Sequence, residues 1–171
     1  SNASQPPLLD SMDTQASVEP FEALWLNING INSNKADTNF YLLLRLFIKS
    51  KYSIMFLQEP RLKEGNVGAF ERACNWPQSK VQGTFTPNAG GKGGVATIVK
   101  KSFLHLTTNF LVTELAPDEC QHITFPIGDT QFSFANVHMS SHSGAERAAL
   151  CTTMQDTPPI GTIIGGDFNM V

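Results

Sequence analysis

Ile163-Ile164-Gly165-Gly166-Asp167-Phe168-Asn169 decides how the rest of this chain is read. A β-branched apolar run carries an Asp and an Asn, one residue apart, onto a glycine-loosened strand end. Strands that finish in acids and amides build rigid polar sites, because the sheet fixes the side chains. Asp-x-Asn sets a carboxylate acceptor for a water or a metal ion beside an amide that can hold a phosphate oxygen. The same residues also fit a strand followed by an Asx-type turn.

Working backwards, three more segments end in polar groups: Gln131 to Met139, carrying Asn136 and His138; Ser53 to Leu57, followed by Gln58-Glu59-Pro60; and Phe21 to Ile31, carrying Asn27-Ile28-Asn29-Gly30. Each has a plainer alternative: a turn cap for Asn27 and Asn29, a surface pair for Glu59, a satisfied core histidine for His138. Four coinciding strand ends are harder to dismiss than one. A carboxylate such as Glu59 is a hard oxygen ligand suited to Mg²⁺. Asp167 could orient or deprotonate a water, and Asn169 and His138 could donate to phosphate oxygens as charge develops. That layout hydrolyses phosphoesters.

Between these ends the chain alternates in period. Ala36 to Ser50 repeats Phe40, Leu43, Leu44, Phe47 and Ile48 at helical spacing. Val67 to Cys74 suggests a helical turn or two. Lys80 to Phe85, Gly94 to Val99, Leu104 to Leu115 and Cys120 to Ile127 read as strands. Ser143-Gly144-Ala145-Glu146 is a capping box that opens a helix to about Gln155, stopped by Pro158-Pro159. The order β-α-β, several antiparallel candidates, then α-β is that of an α/β sandwich. The pattern predicts a mixed, largely antiparallel sheet, with the last strand entering beside the first or second to bring Asp167 to Glu59.

The 171 residues amount to one domain with 41% apolar and 16% charged side chains. No apolar run approaches the ~18 residues that span a membrane. Ser1-Asn2-Ala3 reads as a scar of tag cleavage, and residues 1–20 read as a tail. Cys74, Cys120 and Cys151, odd in number and far apart, argue for reduced thiols in an intracellular protein, nuclear or cytoplasmic. The net charge of −3 excludes wholesale reliance on counterion release, so nucleic acid would need a local basic rim or a bound cation. Lys35, Lys63, Lys92, Lys100 and Lys101 are the rim candidates. Lys92 lies in a glycine loop that is not a P-loop, because Gly93 follows it. His138 and His142 have zincin spacing without the Glu, so zinc is not indicated.

Asn27-Ile28-Asn29-Gly30, Gln58-Glu59, Gly94-Val95, Asn136-Val137-His138 and Gly166-Asp167-Phe168-Asn169 resemble, in order and spacing, the endonuclease/exonuclease/phosphatase superfamily of DNase I-like enzymes. The segments Leu26 to Asn32, Leu57 to Leu62 and Gly93 to Val99 look most like endonuclease domains of non-LTR (LINE-type) retrotransposons. The resemblance implies a four-layered α/β sandwich, Mg²⁺ (or Mn²⁺) dependence and attack by water on a phosphodiester of nucleic acid, DNA above all. Residue by residue, it implies that Glu59 binds the metal with support from Asn27, Asp167 positions or activates the water, and Asn169 contacts the scissile phosphate. It leaves His138 as a further catalytic candidate and Asn29, Lys92 and Asn136 as substrate contacts.

Two departures stand out. His138-Met139-Ser140-Ser141 occupies the place of the Tyr-x-Pro-Asn usual in retrotransposon and abasic-site endonucleases, while Asn-x-His is typical of DNases, deadenylases and inositol or lipid phosphatases. No histidine of the chain sits in the superfamily's closing Ser-Asp-His motif. Residues 21–171 are therefore expected to form about the first two-thirds of such a domain, nearly inert alone. They are also expected to self-associate through Ile160 to Phe168 and the Ala148-Ala149-Leu150 helix. The alternatives are another phosphoesterase of the superfamily, or a non-catalytic binding module.

Overall fold

The computed structural model describes residues 20–30, 36–62, 64–86 and 93–169. Two four-stranded sheets face each other. The first runs β1 (Ala23–Asn27), β2 (Ile54–Gln58), β4 (Val95–Lys100), β3 (Val81–Thr86); the second runs β5 (Leu111–Ala116), β6 (Cys120–Ile127), β7 (Thr130–His138), β8 (Ile163–Asp167). Helices α1 (Ala36–Lys49) and α2 (Glu64–Asn75) join the strands of the first sheet; α4 (Gly144–Asp156) lies between β7 and β8 in sequence.

Three apolar clusters follow from the side-chain periods. Phe40, Leu44 and Phe47 of α1 and Phe70 and Cys74 of α2 pack on Met55, Leu57, Ala96 and Ile98, the outer face of the first sheet. Leu150 of α4 packs on Cys120, Ala135 and Val137, the outer face of the second. Ile54, Phe56, Val99, Ile123, Phe125 and Phe134 fill the space between the sheets. The layers are thus helix, sheet, sheet, helix, as residues i and i+2 of a strand share one face.

The inter-sheet space is graded along the strands. At one end the rings pack together, Phe125 stacked on Phe134 at 5.8 Å and Trp25 tilted against Phe56 at 4.7 Å. Next comes a buried amide layer. Asn136 Nδ2 donates to Leu57 O at 3.1 Å and Ala96 O at 3.0 Å, and its Oδ1 accepts from Gln58 Nε2 at 2.7 Å. Gln121, its cross-strand partner, accepts from Thr97 Oγ1 at 2.8 Å and donates to Thr86 Oγ1 at 2.9 Å. Beyond the amides the strands end at a polar rim.

β1 and β2 run parallel, as do β7 and β8. Each parallel pair requires a crossover, which α1 and α4 supply, and each delivers two C-terminal strand ends to the same rim. The last strand therefore does not join the sheet of β1 and β2 as the pattern predicted. It lies across from them beside β7, and Gly165 makes the approach possible: a Cβ there would stand 2.3 Å from the Trp25 ring.

Other expectations shift locally. α2 is twelve residues rather than a turn or two, because Phe70 and Cys74, four apart, both bury. The span read as a strand from Leu104 begins instead with a helical turn, α3 (Lys101–Leu104), that drives Phe103 into the inter-sheet core before β5 starts. Ser143 caps α4, its hydroxyl accepting from Glu146 N at 3.2 Å. Ile163 and Ile164 on the edge strand β8 are exposed, as are Ala148 and Ala149, but Leu150 is buried. Residues 1–19, Lys35 and Lys63 lie outside the described residues. Lys100 and Lys101 sit at the far end of β4, bonded to Ser50 O and Trp76 O, and so form no rim beside Glu59.

Asn136→Ala should cost about 3 kcal/mol, because it removes three buried hydrogen bonds between the sheets and leaves Gln58 Nε2 with Phe56 O alone. Urea unfolding measures this; a loss below about 1 kcal/mol would mean that the inter-sheet tie contributes little.

Candidate functional site

The rim gathers the ends of β1, β2, β7 and β8. Asn27 closes β1 and pairs in register with Gln58, so Glu59 is the first residue past the sheet. His138 and Asp167 are register partners at the ends of β7 and β8. Ligand atoms of Glu59, His138 and Asp167 lie within 4.8 Å of one another.

Asn27 holds the carboxylates together. Its Nδ2 donates to Asp167 Oδ2 at 2.7 Å and to Glu59 Oε1 at 3.1 Å, while its Oδ1 accepts from Asn29 N at 2.9 Å. His138 Nε2 stands 3.2 Å from Glu59 Oε1. Arg61 Nη2 donates to Glu59 Oε2 at 2.9 Å and also to Asn29 Oδ1. Burial alone would raise the Glu59 pKa, but hydrogen bonds from Arg61 and Asn27 and the His138 imidazole outweigh it and hold the carboxyl below its usual range. Glu59 is therefore an anion at neutral pH.

Strain marks the same place. Asn29 (φ 47°), Glu59 (φ 52°), Arg61 (φ 54°) and Asn169 (φ 44°) all adopt left-handed backbone. Such residues cost of order 1 kcal/mol each and persist where neighbours over-determine them. Here the neighbours are visible: Glu59 N donates to Gly94 O at 3.0 Å, Arg61 N to Gly93 O at 2.9 Å, and Gly30 N to Glu59 O at 2.7 Å.

Among the residues singled out in the sequence, Asn27, Glu59, His138 and Asp167 come together. Asn169 is alongside: its N–H donates to Asp167 Oδ1 at 3.1 Å and one amide hydrogen goes to Met139 O at 2.7 Å, so a contact with substrate would use the second. Asn29 faces solvent, but its oxygen serves Arg61. Asn136, read in the sequence as a substrate contact, does not reach the surface; it is 0% exposed and all its amide bonds go to the first sheet, two residues before His138. Lys92 lies outside the described residues. Arg61 has no role in the sequence reading; its charge two residues after Glu59 was the available signal, but the backbone turn that folds it back was not legible.

A cavity of about 590 Å³ opens beside the cluster. Glu59, Arg61 and His138 line it, with Asp118, Glu119 and Glu146 also in its lining and Ser140, Ser141 and His142 among the remaining lining residues. Burial pushes the Glu119 pKa up, and Glu146 and Asp118 push it the same way. The donor set suits a hard divalent cation: two carboxylates for Mg²⁺, with an imidazole that Mn²⁺ would accept more readily.

Solved structures of low sequence identity share this architecture. An AP endonuclease, LMAP, from Leishmania major superposes with a TM-score of 0.65 at 16% identity over 86% of this chain and 54% of its own. The endonuclease domain of TRAS1, a telomere-specific non-LTR retrotransposon, matches with a TM-score of 0.55 at 16% identity over 89% of this chain and 60% of its own. D. rerio TDP2, in complex with a single-strand DNA product, matches with a TM-score of 0.53 at 15% identity over 86% of this chain and 60% of its own. The fold is that of the DNase I-like endonuclease/exonuclease/phosphatase superfamily. The chain spans between 54% and 60% of the length of these three DNase I-like proteins. No family model and no curated protein matches it in sequence.

Glu119 yields a sign-definite prediction. Its raised pKa means that the folded chain holds the proton more tightly than the unfolded chain, so the stability it contributes is present at acid pH and is lost as pH rises through the folded pKa. Glu119→Gln should raise Tm at pH 7, with the advantage shrinking as pH falls and vanishing only below about pH 3, where the carboxyl is protonated in both states. A lower Tm at pH 7, by calorimetry, would contradict this.

Proposed function

We propose that this chain carries the active site of a metal-dependent phosphodiesterase that hydrolyses nucleic acid, DNA in particular. The observation that carries the reading is the convergence of Glu59, His138 and Asp167, from three strands of two sheets, on one rim under the control of the Asn27 amide. Glu59 and Asp167 would hold Mg²⁺ or Mn²⁺, which supplies charge neutralisation at a phosphoryl oxygen. Asp167 also accepts the hydrogen bond that orients the attacking water. The second amide hydrogen of Asn169 and the His138 N–H are donors for charge that builds on the phosphate oxygens. The amide layer beneath keeps these groups from moving apart.

Nucleic acid as the substrate class is supported by the fold's occurrence in an AP endonuclease, a retrotransposon endonuclease and a DNA-bound TDP2. The finer reading, a nicking endonuclease of a non-LTR retroelement, rests on the segments around Asn27, Glu59 and Gly94 together with TRAS1 among the structural neighbours. A second reading, hydrolysis of a small phosphoester, is favoured by one observation: Asp118, Glu119 and Glu146 make part of the cavity lining acidic, which disfavours a long polyanion there.

Assay of the natural polypeptide on supercoiled plasmid, single-stranded DNA, polyadenylate and inositol phosphates separates the two. The expected result is EDTA-sensitive plasmid nicking that falls 10²–10⁴-fold in Glu59→Gln or Asp167→Asn, a size typical of losing one such group. Undiminished nicking by Glu59→Gln would refute the site, and turnover confined to inositol phosphates would select the second reading.

A further inference from the structure

Arg61 is built into the site more firmly than a solvated arginine needs to be. Its backbone is left-handed at φ 54° and its N–H is tied to Gly93 O at 2.9 Å. Its stem passes Gly30 so closely that a Cβ there would stand 3.0 Å from Arg61 Cδ, and Gly30 itself sits at φ 94°. The guanidinium ends on Glu59 Oε2 at 2.9 Å and on Asn29 Oδ1, yet its side chain stays 46% exposed, open to the cavity. It is the one Lys or Arg among the described residues that line that cavity.

The oxygen that Arg61 holds belongs to the carboxylate best placed to ligate a divalent cation. Two cations on one carboxylate repel each other, so metal and guanidinium compete for Glu59. A guanidinium displaced from Glu59 keeps its fork of donors, which matches the non-bridging oxygens of a phosphodiester.

Resting on the phosphodiesterase reading, we infer that Arg61 is an exchangeable counter-ion of the metal centre, which neutralises Glu59 when no metal is bound and passes to the substrate phosphate when a divalent cation takes that carboxylate. The exchange couples the two ligands. Phosphate draws Arg61 off Glu59 and tightens metal binding; metal frees Arg61 and tightens phosphate binding by the same factor. It also places the phosphate at the Arg61 end of the cavity.

Mn²⁺ titration of the chain, followed by electron paramagnetic resonance with and without thymidine 5′-monophosphate, tests this without turnover. Arg61→Gln should bind Mn²⁺ alone about two- to fivefold more tightly than the parent, the worth of a half-exposed ion pair. It should also lose the tightening of Mn²⁺ that the nucleotide produces in the parent. Arg61→Lys keeps the charge without the fork, so it should restore the weaker Mn²⁺ binding and only part of the coupling. Equal or weaker Mn²⁺ binding by Arg61→Gln, with Arg61→Lys agreeing, overturns the exchange and leaves the phosphodiesterase reading standing. No Mn²⁺ binding by parent or variants overturns both.

Discussion

The buried amide of Asn136 is the tie on which the site depends. It spans the two sheets, with two donors on the carbonyls of Leu57 and Ala96 and its acceptor on Gln58. Apolar packing is non-directional and would let one sheet slide over the other at small cost. Three hydrogen bonds in a dry interior fix the offset, because any slip leaves polar atoms unpaired. One residue past Gln58 is Glu59, and two past Asn136 is His138. Their contact at 3.2 Å is the offset expressed at the rim.

The grading of the sandwich gives each layer a separate job. The aromatic end supplies apolar burial between the sheets, the amide layer supplies register, and the rim gathers the polar side chains. Parallel pairing makes the rim possible, because it brings the C-terminal ends of β1 and β2, and of β7 and β8, to one side. The left-handed residues Asn29, Glu59, Arg61 and Asn169 then aim side chains that regular strands would have sent along the sheet faces. Hydrogen bonds to the carbonyls of Gly93 and Gly94 and from the Asn27 amide hold that geometry against its own strain.

Charge in the cavity is uneven. Glu59 is kept anionic by donors on three sides, whereas Glu119 is half-buried beside other acids and holds its proton more tightly. One carboxylate is bonded to a guanidinium; the other is pushed toward its protonated form by burial and by Glu146 and Asp118. The contrast gives the cavity a direction, with Arg61 at the end beside Glu59 and His138 and the acids Asp118, Glu119 and Glu146 elsewhere in its lining.

The sequence by itself determined most element types, the helix–sheet–sheet–helix layering implied by its resemblance, and four residues that the fold brings together at the rim, Asn27, Glu59, His138 and Asp167. It could do so because strand period and strand-terminal polar groups are local patterns, and because each of the four sits at a strand end. Tertiary structure alone decided which sheet receives the last strand, since Gly165 reads as a loosened strand end until the Trp25 ring is seen against it. It also decided that Asn136 faces inward. In sequence Asn136 and His138 share one strand face and look like equal partners, and only the approach of the first sheet shows that one lies in the dry layer and the other at its edge. Arg61 escaped the sequence reading for the same reason: a left-handed backbone turn is a property of the surrounding hydrogen bonds, and those come from loops far apart in the chain.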